Sequence, residues 1–274
     1  MKIILWVANE AHQKALAHKI NSQYPLAGIV IETRIHKRRF NLYKIISKIF
    51  ERFFLRAIDA AWFNLLNHYA RIYSKFPEVP VLNVENINSS SVLHFTESLK
   101  PDLILVSGTR LIKPAFIKIK VNVGILNLHT GLSPYIKGGP NCTNWCIATN
   151  QFHLIGNTIM WLDAGIDSGN ILTTEFTPLN GTENFKELHL KVMEHAHSLY
   201  IQAINHLKSG HMQSIPQNKI AAGKTYFTKQ WTIKYKIALI KNFNLYSTAF
   251  IKHQLLKNEI KIYPLPLNVV LVFD

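Results

Sequence analysis

The sequence predicts an α/β protein in which helices flank an open, mostly parallel sheet, with a small and mainly helical carboxy-terminal extension. Three observations predict it. Ile3 to Ala8 and Leu26 to Ile31 are short, unbroken apolar runs of the kind that fill strands buried on both faces, and residues 11–22 between them carry a helical pattern. Asp102 to Ser107 reads as a further strand after a helix over Ser89 to Lys100, capped by Asn88 or a neighbouring serine. The 274 residues can bury a sizeable core, divided here into a main domain over 1–210 and an extension over 211–274.

The opening strand, helix and strand are Rossmann-like, but no Gly-x-Gly-x-x-Gly follows the first strand, so a nicotinamide dinucleotide is not supported. From Phe40 to Leu66 apolar residues recur at helical spacing with Lys44, Lys48 and Arg52 on another face, which predicts one long basic amphipathic helix or two shorter ones. Gly108 to Pro114 is a loop. Cys142 and Cys146 lie four residues apart beside Trp145 in an expected buried helix. Two cysteines make no disulfide framework and, without histidine partners, no strong metal signal, so reduced thiols and a cytoplasmic setting are expected. A short strand ending at Phe176 precedes a helix capped by Thr182 or Asn184 that closes the main domain, and the extension holds a helix over Ser247 to Leu256. The amino terminus has no signal-peptide pattern, and no apolar stretch reaches the length of a membrane span.

Charge is segregated. The net +15 is carried entirely by two segments, Arg34 to Arg56 with eight basic residues and one acid, and Lys219 to Lys261 with nine lysines and one acid. Each mixes cations with aromatics, among them Phe40, Phe50, Phe53, Phe54, Trp62, Trp231 and Tyr235. Such segments are solvated faces or contacts to an anionic surface; at a leaflet each cation contributes about 1 kcal/mol.

Chemistry concentrates between residues 127 and 167. In an extended strand alternate side chains share a face, so Asn127 and His129 leave the run Gly124-Ile125-Leu126 pointing the same way, an amide donor and an imidazole able to hold one oxygen together. A second apolar strand, Thr158 to Leu162, runs into the turn Asp163-Ala164-Gly165-Ile166-Asp167-Ser168-Gly169, which can bring Asp167 against the imidazole. No serine or cysteine is spaced to act as a nucleophile with them. This set fits attack by one substrate on the carbonyl of another, with the protein holding the oxyanion and moving a proton.

In order and spacing these residues resemble the folate-dependent formyltransferases, a family that includes the methionyl-tRNA, glycinamide ribonucleotide and amino-sugar-nucleotide enzymes. The resemblance covers roughly residues 1–210 and rests on Asn127-Leu128-His129, Leu132-Ser133-Pro134, Gly138-Gly139-Pro140 and the Asp163 to Gly169 turn running into Asn170-Ile171-Leu172. It implies a catalytic triad of Asn127, His129 and Asp167, with Asp163 the less essential acid at the edge of the cofactor site. It places Arg110, Leu111 and Ile112 where the family holds a pterin ring, with Phe116 and Leu162 as apolar walls. The implied donor is 10-formyltetrahydrofolate, and no metal is implied.

The chain departs from the family at Gly131-Leu132-Ser133-Pro134-Tyr135-Ile136, where many members have Ser-Leu-Leu-Pro and then a basic-aromatic pair. That loop borders the amine, so the departure bears on substrate identity. Sixty-four residues after 210 are too few, and too helical in pattern, for the barrel of a methionyl-tRNA formyltransferase. The expected reaction is therefore formyl transfer to a primary amine on a nucleotide-linked amino sugar used in cell-surface polysaccharide. The expected enzyme is cytoplasmic and peripheral to the inner membrane surface through its basic segments, with a homodimer allowed and nucleic acid disfavoured. The alternatives are formylation of an aminoacyl-tRNA or amino acid, and a non-catalytic module that binds a membrane surface or nucleic acid.

Overall fold

A computed structural model describes residues 1–34, 51 and 55–266. The basic face with Lys44, Lys48 and Arg52, the aromatics Phe40, Phe50, Phe53 and Phe54, and the apolar tail 267–274 lie outside the described residues. The expected opening is present as β1 (Ile3–Ala8), α1 (Ala11–Asn21) and β2 (Leu26–Glu32). Next come α2 (Arg56–Ile72), which runs six residues past the expected Leu66, and β3 (Val81–Val84), a strand too short and too exposed to stand out in the sequence. α3 (Ser90–Leu99) starts after Ser89, whose side chain makes no capping bond, and leads to β4 (Leu103–Ser107), α4 (Pro114–Ile117) and β5 (Gly124–His129).

The remaining elements of the sheet reverse direction. β6 (Ile136–Gly138) and α5 (Cys142–Ala148) separate β5 from β7 (Gly156–Trp161), which pairs antiparallel to β5, and β8 (Ile171–Phe176) pairs antiparallel to β7. The sheet order β3-β2-β1-β4-β5-β7-β8 keeps the first five strands parallel. Strand order reverses between β1 and β4, and an open α/β sheet forms a crevice at the carboxyl ends of the strands flanking such a switch.

Alternation along these strands builds two cores. Leu5, Leu105 and Leu126 face Leu16 and Ile20 of α1 and Leu199 and Ile204 of α6 (Phe185–Lys208). Trp6, Ile104 and Ile125 face Val92 and Phe116 on the other side. α6 begins with a capping box in which Asn184 accepts from the Glu187 N–H and the Glu187 carboxylate accepts from the Asn184 N–H, each at 3.0 Å. Its Tyr200 reaches the sheet, where the hydroxyl donates to the Leu126 carbonyl at 2.6 Å and accepts from the Val106 N–H at 2.9 Å.

The extension packs on this body. β9 (Lys224–Tyr226) pairs with β6, and α7 (Ile233–Phe243) and α8 (Tyr246–Lys257) follow. Trp145 stacks on Tyr226 at 4.3 Å and meets Trp231 and Tyr235 edge-on at 4.8 and 4.7 Å. Three aromatics of the second basic segment, Tyr226, Trp231 and Tyr235, are therefore seated in an intramolecular cluster. Among the described residues no helix is long and apolar enough to cross a membrane.

Buried imidazoles make this packing sensitive to acid. Burial lowers His12 and His189 to about 4; burial, then the charges of His253 and Lys257, lowers His153 to about 4. Groups with lowered folded values that ionise near pH 6.5 when unfolded favour the folded state above 6.5 and increasingly oppose it as pH falls toward 4. Glu183 acts in a lower window. Burial would raise its carboxyl, but hydrogen bonds led by the one from Lys191 outweigh that and hold it at about 2, so its contribution is lost only as pH falls from about 4 toward 2. The melting temperature should thus fall first between pH 6.5 and 4, and less steeply in His153→Gln; calorimetry finding no loss above pH 4 would refute this.

Candidate active site

The imidazole sits where β5 leaves the sheet. His129 pairs in register with Thr158 of β7, whose hydroxyl donates to the Gly131 carbonyl at 2.7 Å and accepts from the Ser133 N–H at 2.9 Å. Those bonds fix the loop after the histidine. A Cβ at Gly131 would collide with His129 Nε2, so glycine here is required by the ring beside it. The ring is 8% exposed, enough to reach the cleft and too little to wander.

The Asp163 to Gly169 turn folds back from β7 toward this ring. Asp167 Oδ2 lies 3.3 Å from His129 Nδ1 and accepts the Gly138 N–H at 2.9 Å. His129 Nε2 faces the Ile136 carbonyl at 3.3 Å and Cys142 Sγ at 3.5 Å. Nδ1 thus faces the carboxylate, and Nε2 lies between a carbonyl and a thiol. Burial first, then the charges of Cys146 and Asp167, pushes the Cys142 thiol well up, so the sulfur beside the imidazole is a thiol and not a nucleophilic thiolate.

Asn127, His129 and Asp167 all line one cleft of about 550 Å³ at the carboxyl ends of the strands. Asn127 lies two residues before His129 on the same face of β5, as alternation requires. Of the residues expected around the cofactor, Arg110, Leu111, Ile112, Leu162 and Asp163 line this cleft. Phe116 lies elsewhere. It packs in the core against the sheet at 6% exposure and is not among the lining residues, because α4 turns its apolar side down onto the strands. Asp163 is bound within its own turn, its Oδ1 accepting from Ser168 Oγ at 2.6 Å and the Gly165 N–H at 3.0 Å.

A buried carboxylate missed in the sequence holds the other wall. Glu32, at the end of β2, is 1% exposed and pairs with Arg110 Nε at 2.6 Å and Arg34 Nε at 3.1 Å. It also accepts the backbone N–H groups of Arg110 and Ile87, each at 2.9 Å. The Arg110 side chain further donates to the Glu85 carbonyl at 2.8 Å, so its role in the loop is anchorage. In dinucleotide-binding sheets an acid after the second strand takes a ribose hydroxyl, whereas here the acid is committed to the protein's own guanidinium groups. The signal available in the sequence was one acid ending an otherwise apolar strand.

Fold and site together define an open α/β protein with an amide and an imidazole on one face of a strand, a carboxylate behind the imidazole, and a cleft at the switch point. A family model for formyl transferases matches residues 68–204, half of the chain, and the chain belongs to that family. It is 31% identical over 179 residues to the methionyl-tRNA formyltransferase of Methylacidiphilum infernorum, a match covering 62% of this chain and 55% of that one. The chain spans about half the length of the curated relatives it matches. Two solved structures share the fold. They are an N-formyltransferase from Helicobacter canadensis in complex with folinic acid and dTDP-3-aminofucose (TM-score 0.55, 14% identity, 89% of this chain and 81% of that one) and a 4-N formyltransferase from Francisella tularensis (TM-score 0.53, 17% identity, 88% and 87%).

Removing Glu32 leaves two cations and two backbone donors without their shared acceptor. Glu32→Ala should cost about 3 kcal/mol in urea unfolding, the low end for a broken buried pair because both guanidinium groups are more than a third exposed. Glu194→Ala, which breaks a partly exposed pair with Lys19 and removes the acceptor of the Tyr69 hydroxyl, should cost less than Glu32→Ala, and equal losses in the two variants would contradict this ranking.

Proposed function

We propose that this protein transfers the formyl group of 10-formyltetrahydrofolate to the primary amine of a nucleotide-linked amino sugar. The observation that carries the reaction is the convergence of Asn127, His129 and Asp167 on one wall of the cleft. The donor is held along the rim of the same cleft. Leu111 and Ile166 line the cleft with 56% and 40% of their surface exposed, an apolar rim that a planar ring would cover, and the Gly108 to Ile112 loop offers backbone groups between them.

As the amine nitrogen bonds to the formyl carbon, the carbonyl electrons move to oxygen, where the Asn127 amide and a His129 ring N–H donate to the developing charge. For this the imidazole exchanges its contact with the Ile136 carbonyl for the substrate oxygen. The Asp167 carboxylate sustains the charged ring and helps receive the proton leaving the amine through water. Collapse breaks the bond to the folate nitrogen, which takes up one proton, so protons balance across the transfer. The sugar reading is supported by the likeness to the Helicobacter canadensis protein, whose 89% share of this chain is larger than residues 1–210 alone. The methionyl-tRNA relatives and the +15 charge favour aminoacyl-tRNA as the second reading.

Incubation with 10-formyltetrahydrofolate and a panel of amino-sugar nucleotides should give a mass increase of one formyl group. Formylation of charged tRNA alone would replace the sugar reading with the second. Asn127→Ala should lower turnover about 10²–10³-fold. His129→Ala and Asp167→Asn should abolish it while Asp163→Asn is milder, and near wild-type turnover in the His129 variant would remove the assigned roles.

A reduced folate such as 5-formyltetrahydrofolate should raise the melting temperature by mass action, by about 2.7 kcal/mol of stability at a hundredfold excess over Kd, and NAD should not. Protection by NAD with none from the folate would overturn the choice of donor.

A further inference from the structure

The carboxylate behind the imidazole is held in an unusual backbone state by a residue of the extension. Asp167 has φ +46, a left-handed conformation that an aspartate tolerates but does not favour. Its carbonyl accepts from Gln217 Nε2 at 2.7 Å, and the same nitrogen donates to the Gly169 carbonyl at 2.9 Å. Both amide hydrogens therefore close the turn from one side. Segment 215–217 is fixed beside it by a two-way bridge in which Ile171 and Ile215 exchange N–H to carbonyl bonds at 2.8 and 2.9 Å.

Gln217 is 8% exposed, and its Oε1 is buried with no hydrogen-bond partner among the described residues. A buried polar atom left this way costs stability, and an apolar side chain of similar length would fill the place without that cost. The amide is accounted for by its two donated hydrogens. Asp167 Oδ2, which those hydrogens keep in place through the backbone, is the atom that meets His129 Nδ1 and the Gly138 N–H.

We propose that Gln217 is a positioning residue for catalysis, reached from outside residues 1–210, which sets the Asp167 carboxylate against His129 without touching either substrate. The inference rests on Asp167 being the functional partner of the imidazole. Gln217→Ala removes both donors, and Gln217→Glu keeps the length while losing the paired N–H geometry. Each should lower kcat about 10- to 100-fold, the scale on which a small displacement of a catalytic group acts, with KM for both substrates within about twofold.

Amide hydrogen exchange across 163–169 gives a readout without turnover and should speed up in both variants, with circular dichroism unchanged. A loss confined to KM, or unchanged exchange in 163–169, would overturn the proposal. If Asp167→Asn alone leaves transfer intact, the reading of the site fails first. If Asp167→Asn abolishes transfer and both Gln217 variants keep it, only the clamp fails. Should Gln217→Ala not fold, the Glu variant and its exchange pattern decide.

Discussion

One carboxylate closes the site. Asp167 takes the imidazole of β5 and the Gly138 N–H of β6 on a single oxygen, so three segments distant in sequence meet at one atom. A charge in this position is stable only while its donors stay in place, and they stay only because each is held by something else. Gly138 is tied through β6 to β9, His129 through Thr158 to the loop behind it, and Asp167 through its backbone to Gln217. Loss of any tie leaves an acid and an imidazole near one another but without a fixed geometry.

The same logic recurs across the cleft around a second carboxylate. Glu32 gathers two guanidinium groups and two backbone amides, and the loop that results presents apolar Leu111 to the cleft. Between these walls the Tyr200 hydroxyl links Leu126 to Val106, the residue paired with Asn127, so α6 sets the spacing of the strands just where the amide emerges. Burial pushes that hydroxyl well above its ordinary value, so it remains a neutral donor at any pH the fold survives. The apolar cores supply the gross stability. These few buried polar groups decide how the two walls stand relative to each other.

Sequence periodicity located the strands and helices that are apolar through their length, because burial on both faces leaves an unmistakable run, as in β1 and β4. It missed β3, β6 and β9, whose three or four residues are too short to show a period and pair through backbone bonds that carry no side-chain signal. The triad was legible because alternation and a Gly-bounded turn are local rules, whereas Glu32 and Gln217 act across 78 and 50 residues, on Arg110 and Asp167, where no local rule reaches. The position of Phe116 was not legible for the opposite reason. A loop segment fixes which residues are near the cleft but not which way the following short helix turns its apolar side.

The division at residue 210 describes the sequence better than the packing. Gln217 bonds the Asp163 to Gly169 turn, and Tyr226, Phe227 and Thr228 line the cleft beside Gly138 to Pro140. The Trp145 indole stacks on Tyr226 and donates to the Gly139 carbonyl at 3.0 Å, so one side chain holds both the loop and the extension facing it. Tyr226 also brings its carbonyl so close to Gly138 that a Cβ there would strike it, and Gly138 accommodates the approach at φ +88. A change that loosens α7 from α5 would therefore reach Asp167 through Gly138 before it reached the sheet. The turn that carries Asp167 is thus held by a contact between the residues matched by the family model and a segment outside them, and the sequence gives that segment no motif of its own.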